Sequence, residues 1–182
     1  YIETSSDAEY PFSGRIQKME SLMAAFASVY FNRQLERFLP EKKNEMPTFD
    51  ARVFAVPTLT EAYNSVLWRQ HDCTKNAISM AAQSMFSHKA LQGKSGAEMQ
   101  EMMWSAHGVN FNDYPAFFKR GSFVRRVKRT RMLTAEEMQR IPEEHRPTGE
   151  VTRSFIEAAD IWLSRQDSPV DVLFNGAEVK AF

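Results

Sequence analysis

Three polar side chains in the stretch WRQHDCTKNAISMAA (Trp68–Ala82), namely Arg69, Asp72 and Asn76, stand at i, i+3 and i+7. On a helix that spacing puts them on one face. A guanidinium, a carboxylate and an amide so grouped suit a phosphate or nucleotide, with Asp72 orienting Arg69. The same spacing equally fits an ordinary ion pair on a solvated face. Trp68, His71 and Lys75 line a neighbouring face.

A second group is FFKRGSFVRRVKRTR (Phe117–Arg131), which carries Lys119, Arg120, Arg125, Arg126, Lys128, Arg129 and Arg131 with no acid between Tyr114 and Ala135. A phosphate backbone rewards such a run through counterion release. An exposed basic edge strand that blunts aggregation is the plainer alternative. Third, Arg15 and Lys18 fall in the first turns of a helix, where the backbone dipole favours anions rather than cations. With free backbone N–H groups they make a phosphate cradle, or else two solvated charges.

Other chemistries lack their residues. The chain has seven glycines and no glycine-rich phosphate loop, no CxxC pair, and four scattered histidines (His71, His88, His107, His145) without zinc spacing. Cys73, the only cysteine, reads as packed within its helix and points to a reducing cytoplasm. SSDAE (Ser5–Glu9) superficially resembles a metal-binding turn, but Pro11 follows and no strand leads into it. The 182 residues carry 23 basic and 23 acidic side chains. A wholly basic nucleic-acid binder is thereby excluded, though a local patch is not. No apolar run reaches the ~18–20 residues of a membrane span.

The elements that must position these groups follow from periodicity. Ile16, Met19, Met23, Phe26 and Tyr30 predict a long helix ending at Leu39–Pro40. FDARVFAVP (Phe49–Pro57) alternates as a strand. TLTE, SGAE and TAEE are capping boxes opening helices at Thr58, Ser95 and Thr134, the second closed by Gly108. The basic run reads as a strand, and EVTRSFIE and DVLFNGAE read as strand-like pieces near the end. The fold class is α+β with a mostly helical C-terminal half.

In this order, GRIQKMES, FDARVFAVP, WRQHDCTKNAIS, KSGAEM, GVNFNDYPAFFKRGS and VLFNGAE resemble the tRNA-histidine guanylyltransferase family of reverse (3′-to-5′) polymerases from Gly14 onward. The resemblance implies the C-terminal part of a palm-like catalytic domain with an antiparallel, ferredoxin-like sheet (residues 1–58), followed by a helical, basic tRNA-binding extension (residues 59–182). It implies nucleotide addition to the 5′ end of tRNA, ATP and GTP as substrates, two Mg²⁺ ions, and a homo-oligomer such as a tetramer. Arg15 and Lys18 match a basic pair that meets a triphosphate. Asp50 and Arg52 match the strand motif. Arg69, Gln70 and Asp72 match the helix motif and Asn76 the first asparagine of its His-Ile-Asn-Asn segment; Arg69, Asp72, Lys75 and Asn76 are expected on the tRNA side or behind the site. Lys119 and Arg120, with Arg125 and Arg126 after them, fall at the basic segment expected near tRNA.

The resemblance also implies metal-binding carboxylates in a segment upstream of Tyr1, so the catalytic residues are expected outside this chain. Thr74-Lys75-Asn76-Ala77 stands where members dedicated to tRNA-histidine have His-Ile-Asn-Asn. That substitution favours templated repair of 5′-truncated tRNA, with addition of one extra 5′ guanosine as the alternative. A non-catalytic binding remnant, half of a split enzyme, or an oligomer joined through Met-rich helices are further readings.

Overall fold

The computed structural model describes residues Tyr10–Ala181, and its backbone divides into two units at Pro57/Thr58. SSDAE, with Asp7, lies outside the described residues.

The first unit is built on α1 (Ile16–Phe38), which runs without interruption because no proline or glycine falls inside it. Leu39 closes it and Pro40 starts a short 3-10 turn. FDARVFAVP does not form a strand: residues 49–56 have no regular secondary structure. A strand needs a ladder partner, and the backbone groups here bond to α1 side chains instead. The Val53 N–H donates to Glu20 Oε1 (3.0 Å) and the Phe49 N–H to Ser28 Oγ (3.0 Å). Asn32 Nδ2 donates to the Pro47 carbonyl (2.8 Å), and Phe31 meets Phe49 edge-on at 5.2 Å. The alternation was real only at Ala51 and Val53, which are half-buried, whereas Phe49 and Ala55 are exposed.

The second unit is organised by α2 (Leu59–Gln83), whose first turn is capped by Thr58 Oγ1 accepting from the Glu61 N–H (3.2 Å). Next come the single turn α3 (His88–Leu91), α4 (Gly96–His107) and α5 (Ala116–Arg120). Full reciprocal capping boxes form at Ser95/Glu98 for α4 and at Thr134/Glu137 for α6 (Ala135–Gln139). Gly108 ends α4 at φ 66°. Between α5 and α6 runs β1 (Phe123–Arg131), and it pairs antiparallel with β2 (Val151–Ala159), Phe123 opposite Ala159 and Arg131 opposite Val151. DVLFNGAE does not form the expected strand: Asp171–Asn175 coils into a wide helical turn stopped by Gly176 at φ 74°, and residues 177–181 have no regular secondary structure. Val172 buries in that turn, and the Val172 and Ala177 carbonyls accept from a β1 arginine instead of a ladder partner.

Two apolar clusters meet along α2. Its C-terminal half contributes Ala77, Ile78, Ala81 and Ala82 to a core with Leu91, Met103 and Phe111. Its N-terminal half presents Tyr63, Val66 and Leu67 to Ile161, Leu163 and Val172, which also receive Phe123 and Ala159 from the sheet. The mixed α+β class holds, with one two-stranded antiparallel sheet among the described residues. No helix among them is long and apolar enough to cross a membrane.

Candidate nucleic-acid interface

Between the two apolar clusters, α2 carries a polar seam. Ala62, Val66, Gln70, Cys73, Ala77 and Ala81 recur every three or four residues, so Gln70 occupies a core position although it is polar. Its amide is 5% exposed and fully used. Nε2 donates to the Ile161 carbonyl at 2.7 Å and Oε1 accepts from the Leu163 N–H at 3.0 Å. The Arg120 carbonyl stands 3.5 Å from the same Nε2. One turn on, Thr74 Oγ1 donates to the Lys119 carbonyl at 2.8 Å. Gln70 and Thr74 therefore seat two segments on α2 through their backbones: the end of α5, with Lys119 and Arg120, and the loop around Trp162.

The basic turn closes at Gly121, with φ 76° and ψ 176°. A side chain rarely adopts that conformation, so glycine permits the chain to leave α5 directly into β1. Above the seam lies a groove of about 460 Å³ lined by residues that include His71, Lys75, Asn112, Lys119, Arg120 and Trp162. Among the described residues, no carboxylate lines it. Lys119 Nζ is steadied by the Asn112 carbonyl. The Arg120 guanidinium lies 4.5 Å from the Trp162 ring centre.

The helix-face triad forms, but as an exposed arrangement. Arg69 Nη1 reaches Asp72 Oδ2 at 3.5 Å, Asn76 Nδ2 donates to the same oxygen at 3.4 Å, and Arg69 leans over Trp68. Asp50 and Arg52 of the first unit likewise pair at 3.3 Å in solvent. Both are long, solvated contacts of small energetic weight. Lys75 turns into the groove, separate from that triad.

The sheet sorts the basic run by face. The inner face is neutralised from within. Arg125, its side chain 8% exposed, donates twice to Glu157 Oε1 (2.9 and 2.6 Å) and also to the Val172 and Ala177 carbonyls. Arg129 takes the other Glu157 oxygen. Arg131 grips Glu137 through two hydrogen bonds, 2.8 and 2.7 Å. Arg125, above all, holds the Glu157 carboxyl below the usual range, and Arg131 brings that of Glu137 to about 2. Arg125 is thus an internal tie rather than a side chain offered to a polyanion. On the outer face Val124, Arg126, Lys128 and Thr130 are all exposed, opposite exposed Ala158, Ile156, Ser154 and Thr152, with no acid among the eight.

In the first unit Arg15 and Lys18 each engage Phe12. The Arg15 Nε–H donates to the Phe12 carbonyl at 3.2 Å and Lys18 Nζ lies 5.3 Å above the Phe12 ring. The turn before α1 holds three successive residues at positive φ, Phe12 (54°), Ser13 (55°) and Gly14 (73°). No side chain caps α1 and no acid occupies its first turn. Among the described residues, no three His, Cys, Asp or Glu side chains stand close enough to hold a metal ion.

Sequence reasoning named Gln70 and Thr74 only as parts of motifs and missed Trp162. A polar residue on the apolar stripe of a helix was the available signal for Gln70. Trp162 carried none.

Residues 2–57 match the family model for tRNAHis guanylyltransferase, and residues 59–162 match that for the Thg1 C terminal domain. Among curated proteins, the tRNA(His) guanylyltransferase of Debaryomyces hansenii is 28% identical over 152 residues, covering 74% of this chain and 57% of the relative. That of Saccharomyces cerevisiae is 30% identical over 128 residues, covering 63% and 54%. The chain thus spans about half the length of these relatives. A solved bacterial tRNA(His) guanylyltransferase (Thg1)-like protein in complex with ATP is 38% identical with a TM-score of 0.57, covering 65% of this chain and 50% of that one.

Proposed function

This chain belongs to the tRNAHis guanylyltransferase family, and from that premise we propose that it serves 5′-end guanylyl transfer to tRNA-histidine, residues 59–182 holding the tRNA. The family match and the relatives' shared name support the single-guanosine reading over templated repair, which the sequence motifs had placed first. Repair keeps one specific support, Thr74-Lys75-Asn76-Ala77 in place of His-Ile-Asn-Asn.

The observation that carries the tRNA-holding role is the segregation of charge. Cations on the inner sheet face are matched by Glu157 and Glu137, whereas Arg126 and Lys128 outside, and Lys75, Lys119 and Arg120 around the groove, face no carboxylate of the described residues within those surfaces. A neutral protein arranged this way presents a local positive field to phosphate. Arg69, Asp72 and Asn76 lie on the adjoining helix surface and flank the contact. Arg15 and Lys18, at an uncapped helix start, are proposed to receive a nucleoside triphosphate. The palm-like nature of residues 1–58, Mg²⁺ dependence and a homo-oligomeric assembly belong to the same reading. ATP and GTP are its substrates; the ATP complex of the bacterial relative supports nucleotide binding. Recognition is the part these described residues supply: they bind and orient polyanions, and no proton or phosphoryl step is assigned to them.

The test incubates the full chain with Mg²⁺, ATP, GTP and two transcripts, tRNA-histidine lacking its extra guanosine and a 5′-truncated tRNA. A single added nucleotide on the first supports guanylyl transfer. Templated extension of the second supports repair. Binding without product makes the chain a tRNA-binding module, and absence of both overturns the proposal.

A further inference from the structure

We propose that Trp68 is a stacking surface for an unpaired nucleobase of RNA, set beside the cationic groove that takes the phosphates of the same strand. The inference rests on the tRNA-holding reading above and adds to it the recognition of single-stranded nucleotides.

Trp68 lies on α2 and belongs to neither apolar cluster. Its helical neighbours at i−4, i−3, i+3 and i+4 are Asn64, Ser65, His71 and Asp72, all polar. No apolar side chain on its own helix face covers the indole, and the residue stays 63% exposed. The ring is nevertheless oriented. The Arg69 guanidinium carbon stands over it, 5.3 Å from its centre. Arg69 is tied in turn to Asp72 Oδ2 at 3.5 Å, and Asn76 donates to the same oxygen at 3.4 Å. This chain of contacts props the indole from one side without burying it. The exposed aromatic area that remains is where a base can lie.

One turn along α2, His71 lines the groove that Lys75, Lys119 and Arg120 also line. Residues three apart on a helix have Cβ atoms about 5–6 Å apart, so ring and groove adjoin. Among the described residues, no carboxylate lines that groove. An aromatic surface next to a cationic groove suits a single strand, because the groove follows the backbone while the ring stacks the base. Bases within a duplex are already stacked on one another, so a duplex uses the groove and not the ring. An apolar protein partner would call for other apolar groups around Trp68, and its helical neighbours supply none.

The test is fluorescence anisotropy of two labelled probes titrated with the full chain. One is a single-stranded RNA of about ten nucleotides, within the site sizes of such grooves, and the other is the same RNA annealed to its complement. Trp68→Ala is expected to weaken the single strand by about 5- to 150-fold and the duplex by less than about twofold. Trp68→Phe, which keeps an aromatic face, is expected to stay near wild type, and Trp68→Leu to behave as Trp68→Ala. A tRNA-histidine transcript trimmed of its unpaired 3′ end locates the base: dependence on Trp68 that disappears assigns that end, and dependence that persists assigns a loop. If Trp68→Ala weakens both probes alike or neither, or if Trp68→Leu binds as wild type, the stacking role is overturned. The tRNA reading stands in that case provided that wild-type tRNA binding is salt-dependent and Lys119→Ala lowers its slope by about one. If the wild-type chain binds neither probe nor tRNA, the tRNA reading falls and the stacking role falls with it.

Discussion

Replacing Gln70 by leucine isolates the seam that seats the basic turn. Leucine is close in volume and suits a helix, so α2 and its packing persist. What disappears is the partner of two buried backbone groups, the Ile161 carbonyl and the Leu163 N–H. Each orphaned group costs about 1–3 kcal/mol, or about 4 together at mid-range. Burying leucine's methyl groups instead of an amide returns about 1 kcal/mol. The net loss is about 3 kcal/mol, a large share of the roughly 5–15 that holds a domain. With a urea dependence near 2 kcal/mol per molar, the midpoint drops by about 1.5 M. Urea denaturation of the full chain, followed by far-UV circular dichroism, reads this directly. Arg69→Ala, one residue earlier, is the control: its pair with Asp72 is exposed and 3.5 Å long, so less than about 0.5 kcal/mol should go. A Gln70→Leu midpoint within about 0.3 M of wild type would refute the seam argument.

Three other outcomes follow from geometry already described. Gly176→Ala places a methyl 3.3 Å from Val127 Cα at a φ of 74°, and should destabilise by about 1–2 kcal/mol or more in the same urea assay. The carboxyls of Glu98 and Glu137 are held at about 2 against an ordinary 4.5, the first chiefly by the Ser95 N–H and the second chiefly by Arg131. Groups so depressed stabilise the fold above the ordinary value and lose that contribution as pH falls. The urea midpoint should therefore be insensitive to these groups above about 4.5 and decline between 4.5 and about 2, with Glu137→Gln, which keeps the cap, making the decline shallower. The double substitution Arg126→Ala/Lys128→Ala should lower the salt slope of tRNA binding by about two and leave the thermal midpoint unchanged, since both side chains are exposed.

Helices were legible where local chemistry decides them. Thr58, Ser95 and Thr134 cap helices where the sequence places them, and Gly108 ends α4. FDARV misled because alternation reports only which face is covered, and α1 side chains cover it where a second strand was expected. In DVLFNGAE the apolar residues close a turn, with Val172 and Ala177 carbonyls committed to Arg125, a partner 47 and 52 residues away. The cationic run was visible at once, but its division into tied and free charges was not. That division depends on Glu157 and Glu137, whose pairing with the run is fixed by sheet register and by α6. Gln70 shows the general limit: its type and position were readable, its long-range partners were not.

The seam on α2 grips its two segments by their peptide groups. Gln70 and Thr74 touch the carbonyls of Lys119, Arg120 and Ile161 and the N–H of Leu163, all atoms that every amino acid other than proline carries. The side chains at 119 and 120 are therefore free to change without disturbing how their backbone is held. Substitution there changes the charge and shape of the surface while the scaffold stays put. Under the tRNA-holding role proposed above, exchanges in α5 would alter the RNA target with the cost of each confined to binding.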